Sequence, residues 1–298
     1  MTAAASRVGA WLRLMPIVFV LIWSTGFIVA RYGMPYAPPL KFLAVRYALS
    51  LLCFGLWVAL ARVAWPVERR QWLHLAVTGV LMQAGYLGGV WAAVKAGMGS
   101  GLIALLVGVQ PVLTAVWMSM HGGAIGRRQW AGLALGFAGL VLVVSRKLGQ
   151  GAEVSALTMS LALLALLSIT AGTLYQKRYV APCDVRSASA VQLAAALAVT
   201  LPFAWFETDA IVWNAAVAGS MAWSVLALSL GGGSLLYMLI QRGTATAVTS
   251  LLYLVPPCTA VMAWLLFDEP ITAITLAGIA LTAVGVSMVV RGEQTAAA

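Results

Sequence analysis

Charged residues are scarce in this sequence. Among its 298 residues there are 18 Lys and Arg but only 8 Asp and Glu, so charged residues make up 9% of the chain, whereas hydrophobic residues make up 62%. Soluble domains carry about 25% charged residues, so this composition excludes an ordinary soluble fold. The charges stand singly or in short groups between long apolar runs, as in membrane loops. Because they form no clustered basic face, a nucleic-acid partner is not predicted.

Acidic residues and histidine are missing from the apolar runs. All eight carboxylates fall in predicted loops or tails, and His74 and His121 fall near the ends of spans. Proton-driven carriers usually hold such a group within the membrane, so we do not expect a carboxylate-based proton relay. A cationic solute would also lack a buried counter-charge. Since no acid–base pair, activated nucleophile or metal cluster is visible, we predict neither an enzyme nor a cofactor or metal site.

Cysteine is rare as well. The chain has three cysteines, Cys53, Cys183 and Cys258, and two of them lie in apolar runs. An odd number without metal-ligand spacing implies no disulfide or metal framework. We therefore predict that they are small core residues.

Long apolar runs fill most of the chain. About 20 apolar residues cross the hydrocarbon core of a bilayer as a helix. The predicted transmembrane helices are 15–32, 40–61, 72–94, 99–120, 128–145, 155–176, 187–206, 214–240, 245–267 and 271–290. Most Lys and Arg residues fall on one side of this arrangement, which the positive-inside rule assigns to the cytoplasm. The predicted fold class is an all-α integral membrane protein with ten transmembrane helices and both termini in the cytoplasm.

The chain also contains an internal repeat. A shift of 146 residues aligns the two halves without a gap and places Gly85 on Gly231. Each half has five predicted spans, an odd number, so the second half enters the membrane from the opposite side. We predict two inverted five-helix repeats, residues 1–150 and 151–298, that form one transport unit. Such repeats are typical of secondary transporters, because two similar halves can exchange conformations.

Polar and aromatic side chains within the spans are the candidates for a solute site. Buried hydroxyl and amide groups need partners in lipid, so they face the bundle interior or a water-filled cavity. The candidate solute-contacting residues are Trp23, Ser24, Met82, Gln83, Tyr86, Gln110, Trp117, Thr170, Tyr237 and Tyr253. For the hydroxyl groups, a bond to a carbonyl of the same helix is the simpler alternative. For the aromatic rings, anchoring at the membrane interface remains open.

Proline and glycine within the spans are candidate hinges, because proline breaks the ladder of helix hydrogen bonds and glycine is conformationally free. The candidate hinge residues are Pro111, Pro256, Pro257, Gly231 and Gly232. The alternative is that these residues only shape the helices so that they pack together, without any motion. The glycines within 132–139 and 278–285 predict close helix packing, either within the monomer or between subunits.

Arg46 is the one charged residue predicted within a span and away from its ends. It lies near the outer end of the second span, so its long stem can carry the guanidinium outward to the interface. We predict that Arg46 is structural and bonds to a helix end. Capture of a substrate carboxylate is the alternative.

Several short motifs stand in a recognisable order. Residues 21–27 read Leu-Ile-Trp-Ser-Thr-Gly-Phe, residues 42–47 read Phe-Leu-Ala-Val-Arg-Tyr, and residues 266–272 read Leu-Phe-Asp-Glu-Pro-Ile-Thr. In each half, a fourth helix with a proline precedes a glycine-rich fifth helix. Together these motifs resemble the drug/metabolite transporter superfamily, in its branch of bacterial EamA-type carriers. The resemblance extends over nearly the whole chain.

The resemblance implies ten helices with cytoplasmic termini, a central cavity lined by helices 1, 3, 4, 6, 8 and 9, and alternating access. Within the family, the chain is most similar to the amino-acid exporters of the bacterial inner membrane, including the YddG-like aromatic amino-acid exporters. Glu269 belongs to the glutamate–proline signature and is expected to act as a helix cap or loop anchor. The first half lacks this glutamate. The first helix also lacks the carboxylate of small multidrug carriers, which argues against proton-coupled drug export.

The sequence therefore predicts a secondary transporter in the lipid bilayer of the inner membrane, present as a monomer or homodimer. Its expected solutes are neutral or aromatic amino acids, which it exports by alternating access. A carrier of lipophilic drugs or of other metabolites is the alternative. A channel is less favoured, and a scaffold has no need of two exchangeable halves.

Overall fold

The computed structural model consists of helices joined by short connections. It describes residues 2–98, 103, 106–122, 125–145, 155–243, 245–267 and 273–296, and these ranges contain no strand. The helices are α1 (Thr2–Gly33), α2 (Pro39–Leu60), α3 (Arg69–Lys95), α4 (Gln110–Met120), α5 (Arg127–Ser145), α6 (Ala156–Tyr179), α7 (Val185–Trp205), α8 (Ala215–Arg242), α9 (Ala245–Ser250), α10 (Val255–Phe267) and α11 (Ala273–Ala296).

Membrane-spanning helices dominate the described part of the chain. Six stretches there are long and apolar enough to cross a bilayer: Pro39–Leu60, Arg69–Lys95, Ala156–Tyr179, Val185–Trp205, Ala215–Arg242 and Val248–Leu266. Two shorter apolar helices, Leu14–Ala30 and Leu276–Val289, accompany them. The chain is therefore an all-helical, multi-pass membrane protein. The count of ten spans stays a prediction, because part of the predicted span 99–120 lies outside the described residues.

Both α3 and α8 contain a stretch in which the backbone winds as a π-helix. The stretches are Val80–Gly85 in α3 and Ser224–Gly233 in α8. The 146-residue shift maps 80–85 onto 226–231, so the first stretch falls inside the second. π turns are rare and are frequent at functional sites. The internal repeat is thus present in the backbone geometry as well as in the sequence.

The first turn of α2 is held by the connection between α7 and α8. The carboxylate oxygens of Glu207 accept hydrogen bonds from the backbone N–H groups of Leu40 and Lys41 at 2.9 and 2.7 Å. The Lys41 ammonium donates to the carbonyl of Asp209 at 2.6 Å. First-turn N–H groups lack partners within a helix, and a carboxylate there also complements the helix dipole. This contact positions α2 and therefore Arg46, which lies about two turns further along.

The start of α7 is fixed by a charged cap. The Asp184 carboxylate accepts a hydrogen bond from the Arg186 backbone N–H at 2.9 Å, and it binds the Arg186 guanidinium at 2.9 and 2.7 Å. These bonds lower the pKa of Asp184 below its usual value. A lowered carboxyl pKa contributes stability that is present above the unfolded-state pKa and is lost as the pH falls through the folded-state pKa. The guanidinium also lies 5.5 Å from the ring of Trp57, which ties α7 to α2.

Glycines let α5 and α11 pack closely against each other. A Cβ atom added to Gly139 would lie 2.6 Å from the carbonyl oxygen of Gly278, and one added to Gly132 would lie 2.7 Å from that of Gly285. Such distances leave no space for a larger residue, so the two backbones approach as closely as glycine allows. The predicted small-residue faces are therefore confirmed as a packing surface, and this contact lies within one chain.

We expect the Gly139→Leu variant to be much less stable than the wild type. The added side chain meets the backbone of α11, and overpacking of this kind costs about 1–3 kcal/mol. The apparent melting temperature of the purified protein in detergent measures the loss. Gly55→Leu is the matched control, because a Cβ atom at Gly55 meets no atom within 4 Å. Equal losses in the two variants would contradict a packing role for Gly139.

Candidate solute-binding site

Two small cavities meet at the rings of Trp23 and Tyr86, whose centroids are 6.3 Å apart and whose planes are 4° from parallel. We call them the central cavities. The first has a volume of about 30 Å³ and is lined by Trp23, Gly26, Phe27, Ala30, Arg46, Tyr86, Leu87, Val90, Trp91 and Leu228. The second, of about 10 Å³, is lined by Trp23, Phe27, Tyr86, Val107, Gly108, Leu252, Val255 and Pro256.

Arg46 lies in the larger central cavity. The residue is 4% exposed, and its Nε donates a hydrogen bond to the Ser229 hydroxyl at 3.0 Å. The prediction that its stem carries the guanidinium outward to a helix end is therefore wrong. The reason is the rotation of α2 about its axis, which turns Arg46 toward α1, α3 and α8. The guanidinium consequently reaches a side chain of α8 rather than the interface.

Adjacent residues of α2 bond to the π stretches of both repeats. Arg46 bonds to Ser229 in α8, and the Tyr47 hydroxyl donates to the carbonyl of Gln83 in α3 at 2.8 Å. Gln83 and Ser229 are equivalent under the 146-residue shift. Gln83 is a predicted site residue and Ser229 is not. The 146-residue repeat, which places Ser229 on Gln83, is the sequence signal that could have identified Ser229.

The Arg46 guanidinium has no counter-ion among the described residues. In that part of the chain it forms no ion pair, and Ser229 is its one hydrogen-bond partner. Burying a cation without a partner is costly. The remaining N–H donors form a planar fork that matches a carboxylate. The buried guanidinium therefore has donors left over for an anionic group in the larger central cavity, if the cavity widens.

Aromatic rings form much of the remaining wall. Trp23 contacts the ring of Phe19 at 5.2 Å between centroids, and Trp91 stacks on Phe42 at 4.9 Å. Trp91 and Phe27 line the larger cavity but are not among the predicted solute-contacting residues. Binding sites commonly combine apolar and aromatic walls with a few polar groups that orient the ligand. The wall of the larger central cavity thus combines aromatic surface with one cation, in a volume of about 30 Å³.

A much larger cavity of about 680 Å³, the α4–α6 cavity, lies between α4 and α6. It is lined by Leu113, Val116, Trp117, Met120, His121, Leu167, Thr170, Ala171, Leu174, Tyr175, Arg178 and Tyr179. Two predicted residues, Trp117 and Thr170, are here and not beside Trp23. Trp117 is 50% exposed, and its ring stacks on His121 with centroids 4.0 Å apart. The structure thus divides the predicted residues between two places.

The predicted hydroxyl residues bond to their own helices. The Ser24 hydroxyl donates to the carbonyl of Val20 at 2.6 Å, and the Thr170 hydroxyl donates to that of Leu166 at 2.7 Å. These bonds match the simpler alternative, in which a hydroxyl group binds a carbonyl of its own helix rather than a solute. Ser24 lies outside the linings of the central cavities, although its neighbour Trp23 lines both of them.

Gln110 lies on α4 between the two places. It is fully buried, and its amide nitrogen donates to the carbonyl of Ile169 at 3.4 Å and to the hydroxyl of Thr173 at 3.2 Å. Within the described part of the chain, its amide oxygen has no hydrogen-bond partner. Just before it in the chain, Gly108 lines a central cavity, and just after it Leu113 lines the α4–α6 cavity. The bond therefore fastens α4 to α6 at a level between the cavities.

Besides Ser24 and Gln110, four more predicted residues lie outside all of these linings: Met82, Gln83, Tyr237 and Tyr253. Tyr237 is buried in a small separate cluster, and its hydroxyl lies 3.1 Å from Sγ of Cys183. Tyr253 is buried against Gly136 of α5, and its hydroxyl finds no hydrogen-bond partner among the residues that the structure describes. The structure therefore does not bring these side chains together with Trp23 and Tyr86.

The hinge prolines stand at the beginnings of helices. Pro111 lies in the first turn of α4, and Pro256 and Pro257 lie in the first turn of α10. Proline fits there, because a first-turn N–H has no helix partner to lose. The expected break in the middle of a span is thus a boundary between helical segments, and a 3₁₀ turn, Leu251–Leu254, precedes the second one.

The hinge glycines lie in the π stretch of α8. Gly231 and Gly232 face α1, and a Cβ atom added to Gly232 would lie 3.2 Å from Ile22 and 3.4 Å from Trp23. They allow a close approach of α8 to the ring that lines both central cavities. A hinge motion at these residues stays a prediction. Glu269 lies outside the described residues.

One known family matches the chain twice. The EamA-like transporter family matches residues 10–145 and again residues 156–291. The chain belongs to this family. The two matched stretches differ by 146 residues at both ends, which confirms the internal repeat and its spacing. In an EamA-like protein, the central cavities and the α4–α6 cavity are candidate parts of a solute path.

Relatives are similar over most of their length. The "Uncharacterized transporter YvbV" of Bacillus subtilis (strain 168) is 28% identical over 275 residues, which cover 91% of this chain and 88% of that protein. The "Uncharacterized inner membrane transporter YedA" of Escherichia coli (strain K12) is 26% identical over 247 residues, with 81% and 78% covered. A "Probable amino-acid metabolite efflux pump" of Salmonella typhimurium is 24% identical over 290 residues, with 93% and 94% covered.

A solved structure shares the fold. It is described as "Crystal structure of protein", superimposes with a TM-score of 0.74 and is 18% identical in sequence. The match covers 96% of this chain and 98% of the other. At this identity, the likeness concerns the fold alone.

Proposed function

We propose that this chain is a secondary transporter that exports neutral and aromatic amino acids across the bacterial inner membrane. The observation that carries the proposal is Arg46, a buried cation with no counter-ion among the described residues, in a cavity walled by Trp23, Tyr86 and Trp91. A zwitterionic amino acid supplies a carboxylate for the guanidinium and an apolar side chain for the rings. The names of the Salmonella and Escherichia relatives support the solute class and the inner membrane, respectively.

The difference between the two ends of the bundle supports alternating access. The Thr259 hydroxyl of α10 donates to the carbonyl of Ser24 in α1 at 3.2 Å. The 146-residue shift relates this pair to Leu113 and Thr170, which line the α4–α6 cavity. The helices α1 and α10 are therefore in contact at Ser24 and Thr259, whereas the equivalent positions in α4 and α6 line an open cavity. In the predicted orientation, this open cavity faces the cytoplasm, the side from which an exporter collects its solute.

Entry of the solute requires a rearrangement at Gln110. The central cavities, of about 30 and 10 Å³, are far smaller than the roughly 300–1,000 Å³ of ligand pockets. The bond from Gln110 to Thr173 fastens α4 to α6 between these cavities and the open one. We infer that a solute in the α4–α6 cavity reaches Arg46 after this bond opens and the rings of Trp23 and Tyr86 separate.

A carrier of lipophilic solutes is the second candidate function. The α4–α6 cavity favours it, because a mostly apolar cavity of about 680 Å³ suits a drug-sized molecule. Arg46 argues against lipophilic cations, since a buried guanidinium repels them. Competition against labelled phenylalanine by a lipophilic cation and by unlabelled methionine separates the two functions. Inhibition by methionine alone supports the amino-acid carrier.

Counterflow in proteoliposomes tests the proposed function. Purified protein is reconstituted with a mixture of unlabelled neutral amino acids inside, and the entry of labelled phenylalanine, methionine or threonine is followed without an ion gradient. We expect uptake that rises above its final level and then decays, because exchange is faster than net flux in a carrier. Uptake equal to that of empty liposomes, both with and without an imposed pH gradient, would contradict amino-acid transport.

A further inference from the structure

A second large surface feature has no role in the proposed solute path. It is a groove of about 660 Å³ between the first turns of α3 and the middle of α7, and we call it the α3–α7 groove. Its walls are formed by Leu73 and Ala76 of α3 and by Ala194 and Ala195 of α7. Leu73 and Ala194 are exposed, so the groove opens outward rather than toward the bundle interior. In a bilayer, an outward apolar groove is filled by acyl chains.

The mouth of the groove carries two adjacent arginines. Arg69 and Arg70 are both exposed, and among the described residues neither forms a hydrogen bond or an ion pair. They begin α3, which has no side-chain cap and no acidic residue in its first turn, so the positive end of the helix dipole adds to their charge. Glu68 precedes them and leaves a net positive mouth. Such a mouth attracts an anion such as a phosphate group.

Aromatic residues place this mouth at the level of the lipid headgroups. Trp72 lines the groove, donates from its ring nitrogen to the carbonyl of Pro66 at 2.7 Å and stacks on Trp65 with centroids 5.4 Å apart. Tryptophans of this kind mark the membrane interface. In the predicted orientation, the interface is the cytoplasmic one, whose anionic lipids attract basic residues.

We propose that the α3–α7 groove binds an anionic phospholipid. Its phosphate pairs with Arg69 and Arg70, and one acyl chain lies along Ala76, Ala194 and Ala195. The small alanine side chains leave the space for the chain, and the arginine fork supplies bonds that a zwitterionic lipid engages less strongly. This lipid site stands apart from the central cavities and does not depend on the identity of the transported solute.

Binding of a fluorescent phosphatidylglycerol to the full-length protein in neutral detergent tests this inference. About 1 kcal/mol per basic residue near an anionic surface corresponds to binding about 30-fold weaker in the Arg69→Gln/Arg70→Gln double variant. The matched control is Arg127→Gln/Arg128→Gln. Those arginines are a second adjacent, exposed pair that lines none of the cavities above. Labelled phosphatidylcholine should bind all three proteins equally and weakly.

A groove-filling variant separates a lipid site from general surface charge. Ala194→Phe keeps both arginines and changes an exposed position, so it should fold normally and lose most phosphatidylglycerol binding. Soluble glycerol phosphate should not compete, because it lacks the acyl chain. Wild-type affinity in the Arg69→Gln/Arg70→Gln protein or in Ala194→Phe would overturn the proposal. Equal weakening by the two arginine pairs would overturn it as well, since charge alone would then account for the binding.

Discussion

The Arg46→Gln variant should lose nearly all transport of zwitterionic amino acids while it continues to fold. A hydrogen-bonded pair with a charged group is worth about 1.5–3 kcal/mol, so the apparent affinity for phenylalanine should fall about 10- to 150-fold. Glutamine retains an amide donor toward Ser229, the partner of Arg46 Nε. Initial rates of labelled phenylalanine uptake into proteoliposomes, measured over a range of concentrations, give the change in affinity.

A solute without a carboxylate shows whether Arg46 acts on that group. Phenylalaninamide keeps the aromatic ring and the amino group but carries a net positive charge. Its slow transport should therefore not fall in Arg46→Gln, and it should rise as far as loss of the guanidinium relieves the repulsion of a cation. Arg46→Lys should fall between wild type and glutamine, because an ammonium keeps the charge but not the planar fork. Equal loss for phenylalanine and its amide would show that Arg46 acts on the fold rather than on the carboxylate.

Stability offers an independent readout of the same residue. Removing an unpaired buried charge is neutral or stabilising, whereas breaking a buried pair is strongly destabilising. We therefore expect the melting temperature of Arg46→Gln without solute to be equal to or above that of the wild type. A fall of many degrees would mean that the guanidinium stabilises the fold through more than its hydrogen bond to Ser229, and it would remove the carboxylate role.

The Tyr86→Ala variant should impair phenylalanine transport more than threonine transport. The Tyr86 ring lines both central cavities and stacks on Trp23. Removing an aromatic surface of this kind costs about 1.5–3 kcal/mol of contact with an apolar solute, which corresponds to more than about tenfold in affinity. Threonine offers less apolar surface, so it should lose less. The ratio of the two uptake rates measures the effect and cancels differences in expression.

Two conservative variants serve as controls for the aromatic prediction. Tyr86→Phe keeps the ring and its stacking on Trp23, so it should transport phenylalanine at close to the wild-type rate. Tyr237→Phe changes a predicted site residue that lies in a separate cluster beside Cys183, so it should be neutral as well. The placement of the site at Trp23 and Tyr86 would be contradicted by loss of transport in Tyr237→Phe with normal transport in Tyr86→Ala.

Several features of the fold were accessible from the sequence because they depend on composition and periodic spacing. The apolar runs predicted an all-helical membrane protein, and the shift of 146 residues reappears in the two family matches and in the two π stretches. The glycines within 132–139 and 278–285 predicted a close helix contact, and α5 and α11 meet there. These features need no knowledge of which side of a helix faces which neighbour.

The candidate site was predicted only in part. Trp23 and Tyr86 do line the central cavities, but Trp117 and Thr170 lie in the α4–α6 cavity, and Tyr237 and Tyr253 lie outside both. The reason is that membrane helices are apolar on nearly all sides, so periodicity does not reveal which face points inward. Depth along a span can be counted from the sequence, whereas rotation about the helix axis depends on packing against neighbours.

Arg46 illustrates which properties follow from the sequence and which follow from packing. The sequence by itself determined the class of the protein, its doubled architecture and the presence of one cation within an apolar span, because these follow from residue types and spacing. The tertiary structure alone decided that the cation is buried, that Ser229 is its partner and that Trp23, Tyr86 and Trp91 surround it. The physical reason is that the rotation of α2, and the helices that pack on it, set the surroundings of each side chain, and residues of four different helices create the site only when they meet in space.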